Sequence, residues 1–99
     1  MIIKVSSDAI DWFKEEVGLS EGKAVRFYPQ IYGTSPIQEG FALAFTIEDK
    51  PSEVTIYIEA EGITLFVEET DLWFFNGHDL FVEYNDVIDE LEYKYEKSE

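Results

Sequence analysis

Outside one short stretch, the apolar residues of this chain recur at every second position. Val25 and Phe27, then Phe41, Leu43 and Phe45, then Ile56 and Ile58, Ile63, Leu65 and Val67, Leu80, Val82 and Tyr84, and finally Leu91, Tyr93 and Tyr95 all follow this rule. A period of two places one side of an extended strand on an apolar face. The exception lies near the start. Ile10, Phe13 and Val17 recur at helical spacing while Lys14, Glu15 and Glu16 turn away. Ser6-Ser7-Asp8 supplies N-cap chemistry and Gly18 a C-cap, which predicts a helix from about Ser7 to Val17. A second, short helical turn is expected over Leu72-Trp73-Phe74-Phe75, capped by Thr70 or Asp71 and closed by Asn76-Gly77. With the opening Ile2–Val5, the pattern gives about six or seven strands against one good helix. One helix cannot cover a sheet of that size, so the strands must cover one another. The expected fold is α+β and β-dominated: a curled mixed sheet, small barrel or two-layer sandwich with an N-terminal helix and one short helical turn.

The breaks between strands are legible too. Pro29 cannot donate to a ladder, so its strand should end there or lie at an edge. Tyr32–Gly40, rich in Gly, Thr, Ser and Pro, reads as a loop, and Glu48–Ser52 as a polar turn around Pro51. Glu61-Gly62 between two alternating runs marks a β-hairpin. Residues 1–99 form one domain, with 96–99 expected to fray.

Eight Phe, six Tyr and two Trp give the chain enough apolar mass for a core despite its charge. That charge is −15, from 22 acids against 7 bases. No Lys or Arg occurs from Pro51 to Tyr93, a stretch that carries acids from Glu53 to Glu92. Such a field repels phosphate backbones and anionic lipid, which argues against nucleic-acid and membrane partners and allows a basic protein partner or a cation, with solvated outer faces as the plain alternative. The apolar runs are too short to span a bilayer. The start Met1-Ile2-Ile3-Lys4 has no signal-peptide pattern, and there is no Cys, so the cytoplasm is the expected location.

The residues offer little chemistry. His78 is the single histidine, and without Cys it makes no zinc site. A weak site shared with Asp79, Glu69 or other carboxylates is the one metal reading left, and a turn histidine is its plain alternative. The acid clusters Glu68-Glu69-Asp71 and Asp86-Asp89-Glu90 lack the spacing and central Gly of a calcium loop. No serine stands in a nucleophile-elbow context, and no glycine loop is built for phosphate. No catalytic, cofactor-binding or metal-ligating residue is assigned, and no enzyme activity or cofactor is expected. Trp73-Phe74-Phe75 is too apolar for a free loop. It should either plug the core or form an association or partner surface, which Tyr28, Tyr32, Tyr57 and Phe66 would extend from an outer sheet face.

Read in order, several segments resemble the HesB-like domain family, the A-type iron–sulfur cluster biogenesis proteins. These are the opening strand and Ser6-capped helix, then Ala24–Tyr28 running into Tyr32-Gly33-Thr34-Ser35. Phe41–Phe45 follows, then Glu61-Gly62-Ile63-Thr64-Leu65-Phe66-Val67 and Phe75-Asn76-Gly77-His78-Asp79-Leu80. The resemblance implies the HesB-like fold over nearly the whole chain. It also implies cluster ligation through a loop Cys and a C-terminal Cys-Gly-Cys, but Thr34 stands at the loop position and the tail has no Cys. Cluster ligation depends on thiolates, so that role does not carry over. The function expected is that of a non-enzymatic accessory or protein-interaction module. Its partner would be basic or belong to the iron–sulfur pathway, and the chain would act as a monomer or homodimer. A small-ligand domain using the Tyr32–Gly40 loop is the alternative, beside the weak carboxylate–histidine metal binder.

Overall fold

A computed structural model describes residues 1–19, 22–54 and 56–98. The chain runs β1 (Ile3–Val5), α1 (Ser7–Trp12) continued by a wide π-helical turn (Phe13–Val17), β2 (Lys23–Ile31), β3 (Phe41–Asp49), β4 (Ile56–Ala60) and β5 (Ile63–Val67). A 3-10 helix (Glu69–Phe74), β6 (His78–Asn85) and β7 (Glu90–Lys97) complete it. The architecture is the α+β, strand-dominated one expected.

Ser6 caps α1 by accepting from the Ala9 amide, and Gly18 ends the helical stretch at φ 63°, a left-handed angle that glycine adopts without a Cβ penalty. The wide second half keeps Phe13 buried and Val17 packed against the core.

The strands form two sheets. One has the order β3-β2-β5-β4, with β2 parallel to β5 and the other pairs antiparallel. The second has the order β1-β6-β7, with β1 parallel to β6 and β7 antiparallel to it. Val25, Phe27, Leu43, Leu65 and Val67 from the first sheet, and Ile3, Leu80 and Val82 from the second, meet in one core with Ala9, Ile10 and Phe13 of the helix. Edge-to-face aromatics knit the layers: Phe13 against Phe27 and Phe45, and Phe27 against Tyr93.

Three local expectations are corrected, and of the two readings of Pro29 the edge one holds. The strand does not stop at Pro29. β2 pairs with β3 as far as Ile31, but with β5 only from Ala24 to Phe27, so on its β5 side Pro29 already lies beyond the ladder. Glu48, read as turn, is still in β3. Neither Thr70 nor Asp71 caps the short helix; the N-cap position is Glu68, without a side-chain bond. The end read as frayed is paired through Lys97, where His78 faces Lys97. Ser98 is tied down as well, its amide to the Gly77 carbonyl at 2.8 Å and its hydroxyl to Asp79 at 2.6 Å. Glu99 lies outside the described residues.

Candidate functional site

The β2–β3 ribbon outruns its sheet. Beyond Phe27 it has no β5 partner, so its last residue pairs, Tyr28 with Ala44 through Ile31 with Phe41, project past the core. Ile31 and Phe41 continue the inward-facing register of Val25 and Leu43 to a point where little core remains. Ile31 is left 61% exposed, and Phe41 is covered by Trp73, with ring centroids 5.0 Å apart at an interplanar angle of 78°.

Trp73 comes from the 3-10 helix. With three residues per turn, consecutive side chains point about 120° apart, so three successive aromatics cannot share one face. Phe74 and Phe75 are buried and stack on each other and on Tyr95. Trp73 is turned out and is 49% exposed. The aromatic run thus divides: Phe74 and Phe75 plug the core and are closed to any partner, while Trp73 alone keeps a surface.

An ion network holds that helix on the sheet. Arg26, on the outer face of β2, donates from Nη2 to Asp71 at 3.0 Å and from Nη1 to Glu48 at 3.1 Å. Burial disfavours the charged guanidinium, but these bonds and the two nearby carboxylates outweigh it and raise the Arg26 pKa. The Tyr28 ring lies 5.8 Å from the guanidinium. Sequence reasoning passed over Arg26, although it is the single arginine in the chain.

The loop that links β2 to β3 is shaped rather than slack. Ser35 and Gln38 are tied by the Ser35 amide to the Gln38 carbonyl (3.2 Å) and by the Gln38 amide to the Ser35 hydroxyl (3.1 Å). The Gln38 side-chain amide donates to the Trp73 carbonyl at 3.2 Å, joining loop and helix. Gly33 sits so close to Ala42 that a Cβ there would lie 2.4 Å from the Ala42 Cβ. Tyr32, at φ 68° and 99% exposed, stands in solvent and walls no pocket; Thr34 is exposed as well. The site is therefore an open aromatic and aliphatic surface of Ile31, Tyr32, Phe41 and Trp73 around a fixed loop.

The other proposed extensions separate. Tyr57 is exposed on the outer face of β4. Phe66, on that same face of β5, is buried. The link from β3 to β4 is fixed by Lys50 to Glu59 at 3.0 Å and shares a cleft with Tyr57 and Thr64. His78 turns its Nδ1 toward the Phe75 and Asn76 carbonyls, 2.8 and 3.1 Å away, so this nitrogen carries the proton and donates. Asp79 faces elsewhere: it accepts from the Ile2 amide and the Ser98 hydroxyl, and those bonds lower its pKa. Among the described residues, no three His or acidic side chains gather closely enough to hold a metal ion. Among them, too, no helix is long and apolar enough to cross a membrane.

No family model matches the chain. Its fold is that of Escherichia coli SufA, a protein involved in the biosynthesis of iron–sulfur clusters. The crystal structure of that protein superposes with a TM-score of 0.60 over 97% of this chain and 80% of the other, at 18% identity. The HesB-like architecture is thus shared at the level of fold. Closer relationships run end to end. A Bacillus subtilis protein named pyruvate dehydrogenase inhibitor is 43% identical over 96 residues, 97% of this chain and all of that one. An uncharacterized Staphylococcus saprophyticus protein is 41% identical over 94% of this chain and 97% of its own length. A Staphylococcus haemolyticus relative is 36% identical over a similar span. The chain belongs to the family of the Bacillus subtilis pyruvate dehydrogenase inhibitor.

Proposed function

We propose that this chain is a non-enzymatic regulator that binds and inhibits a pyruvate dehydrogenase, using the HesB-like fold as a protein-binding scaffold. The observation that carries the reading is the unbroken relationship to the Bacillus inhibitor, which leaves no domain of that protein unmatched. The geometry is compatible with it. A hydrogen-bonded loop, a half-exposed tryptophan and two exposed neighbours form the kind of aromatic anchor that concentrates binding energy at protein interfaces. The iron–sulfur pathway rests on fold alone, and the chain has no cysteine with which to hold a cluster. A small-ligand site in the loop is the weaker reading, since Tyr32 encloses nothing.

The test is direct. Purified chain is added to Bacillus subtilis pyruvate dehydrogenase and the rate of pyruvate oxidation is followed. Saturable, dose-dependent loss of rate is expected, and Trp73→Ala should raise the concentration needed for half inhibition on the order of tenfold or more. An unchanged rate at saturating chain, with no complex on size-exclusion chromatography, rules the proposal out.

A further inference from the structure

The opposite end of the molecule carries a second surface, unlike the first. The outer side of α1 presents Asp8 and Asp11, its π-helical continuation presents Glu15 and Glu16, and the turn between β6 and β7 brings Asp86 up to them. Together with Trp12 and Tyr84 these residues line a groove of about 330 Å³. Among the described residues, no Lys or Arg lines it. At its rim the turn lifts two aliphatic side chains into water, Val87 at 88% exposure and Ile88 at 55%. The turn is a formed one. The Val87 amide donates to Asn85 Oδ1 at 3.0 Å, and the Tyr84 hydroxyl donates to the Asp89 carboxylate. Exposed aliphatics on a hydrogen-bonded turn beside an acidic groove add little to stability. They cost solvation, and the like charges repel.

The chemistry narrows the occupant. Nucleic acid and anionic lipid are repelled by such a field. A second copy of this chain, at −15, would bring the same charge to the contact. The carboxylates are spread along the groove rather than converging on one point, which does not suit a bare cation. What matches is a basic segment with apolar residues interleaved.

We propose that the groove between α1 and the β6–β7 turn docks a basic, partly apolar segment of a protein partner, an Arg or Lys side chain entering the groove while an apolar neighbour rests on Val87 and Ile88. The carboxylates provide steering and orientation, and the aliphatic pair provides the desolvated contact that charge alone lacks. The Trp12 and Tyr84 rings offer a face for a guanidinium. The inference rests on the protein-binding reading, but not on the identity of the target.

The test needs no pyruvate dehydrogenase. The isotopically labelled full chain is titrated with a synthetic peptide alternating arginine and leucine, and with its glutamate–leucine counterpart. Amide shifts should concentrate in Asp8–Glu16 and Tyr84–Glu90 and include the Trp12 indole, with the acidic peptide inert. A triple variant, Asp11→Asn with Glu15→Gln and Glu16→Gln, should weaken binding on the order of tenfold. Val87→Ser with Ile88→Ser should weaken it severalfold without changing its salt dependence. Neutralising Glu39, Glu53 and Glu96 instead should leave it within about twofold. Equal weakening by both triple variants, or shifts spread over every acidic face, would overturn the proposal. So would loss of shifts when calcium is added at a constant ionic strength, because the groove would then be a cation site. If the peptide results hold while inhibition of pyruvate dehydrogenase fails, only the target is wrong. In the converse case only the groove is wrong.

Discussion

Arg26 and Asp71 lie 45 residues apart in sequence and 3.0 Å apart in space, and their bond ties the helix that carries Trp73 to β2. The Asp71 side chain is largely covered, and Arg26 also holds Glu48. Its Nε is buried with no partner among the described residues, so the guanidinium depends on the bonds its other nitrogens make. Asp71→Ala removes one of them from a partly buried charge, which should cost about 1–3 kcal/mol. Because Trp73 is two residues away, its emission should shift to the red. Chemical denaturation with fluorescence reads both effects. Unchanged stability and emission would mean that the helix is held by Phe74 alone.

Trp73 and Phe74 should separate cleanly. Phe74 is buried among Phe75, Tyr95 and Trp73, and its truncation to Ala should cost about 3–5 kcal/mol. Trp73→Ala loses only the partly exposed contact on Phe41 and should cost less, about 1 kcal/mol. Paired melting and inhibition measurements check this. Phe74→Ala should act through stability, and Trp73→Ala through binding. Equal melting losses for the two would place Trp73 in the core instead.

These contrasts mark where sequence reading stops. The alternating runs located the strands, because one buried face forces a period of two whatever the partner strand. The helix caps at Ser6 and Gly18 were legible for the same local reason. The Arg26 network was not. Glu48 and Asp71 look like turn and cap acids, and only the pairing of β2 with β3 and the return of the chain after β5 bring them to one guanidinium. The Trp73-Phe74-Phe75 run was legible as important, but its division was hidden. Two apolar neighbours on a 3-10 helix must diverge, and which one turns inward depends on where Tyr95 and Phe41 stand. Pro29 was legible in one of its two readings: the ribbon has already left β5 there, so the proline lies at a local edge while the strand runs on. The Val87–Ile88 turn passed unnoticed, since two aliphatics between acids look like any strand fragment until they are seen in solvent.

Tyr93 and Tyr95 together should give the fold an alkaline limit. Burial disfavours the Tyr95 phenolate and pushes its pKa up to about 12, against 10.0 for the free group. Burial raises Tyr93 as well. A raised folded-state pKa favours the protonated form, so its contribution is full below pH 10 and is lost as pH climbs toward 12. Melting temperature should therefore fall from about pH 10 upward, and Tyr95→Phe should flatten that fall. Melts between neutral and strongly alkaline pH check the sign. A variant that falls as steeply as the parent would show that other groups govern alkaline unfolding.

Sodium chloride should raise the melting temperature at neutral pH. Lys14, Lys23, Lys50 and Lys94 each hold a carboxylate, but in solvent, where such pairs contribute little. The remaining acids repel one another over distances that roughly 0.1 M salt screens to about 10 Å. Screening should relieve more repulsion than it costs in attraction. A series of melts across salt concentration decides it, and a steady fall in melting temperature would mean that the surface pairs outweigh the net charge.

The loop between β2 and β3 should behave as a fixed element without thiolate chemistry. Gly33 is needed for close approach rather than for an unusual dihedral: any Cβ would meet that of Ala42 at 2.4 Å and the Ala42 backbone nitrogen at 3.0 Å, so the strands would have to shift. Gly33→Ala should therefore pry the ribbon apart and cost about 1–3 kcal/mol. Hydrogen exchange should slow at the Ser35, Gln38 and Phe41 amides, which donate within the loop, and Gly33→Ala should abolish that protection. Thr34 lies exposed beside them, so Thr34→Cys should leave stability within about 0.5 kcal/mol. One thiolate cannot ligate a cluster by itself, and anaerobic reconstitution of this variant with iron and sulfide should give no stable visible chromophore in the monomer fraction. Fast exchange across all three amides would contradict the fixed loop. A stoichiometric sulfide-bearing monomer would show that residues other than cysteine complete a cluster site on this fold.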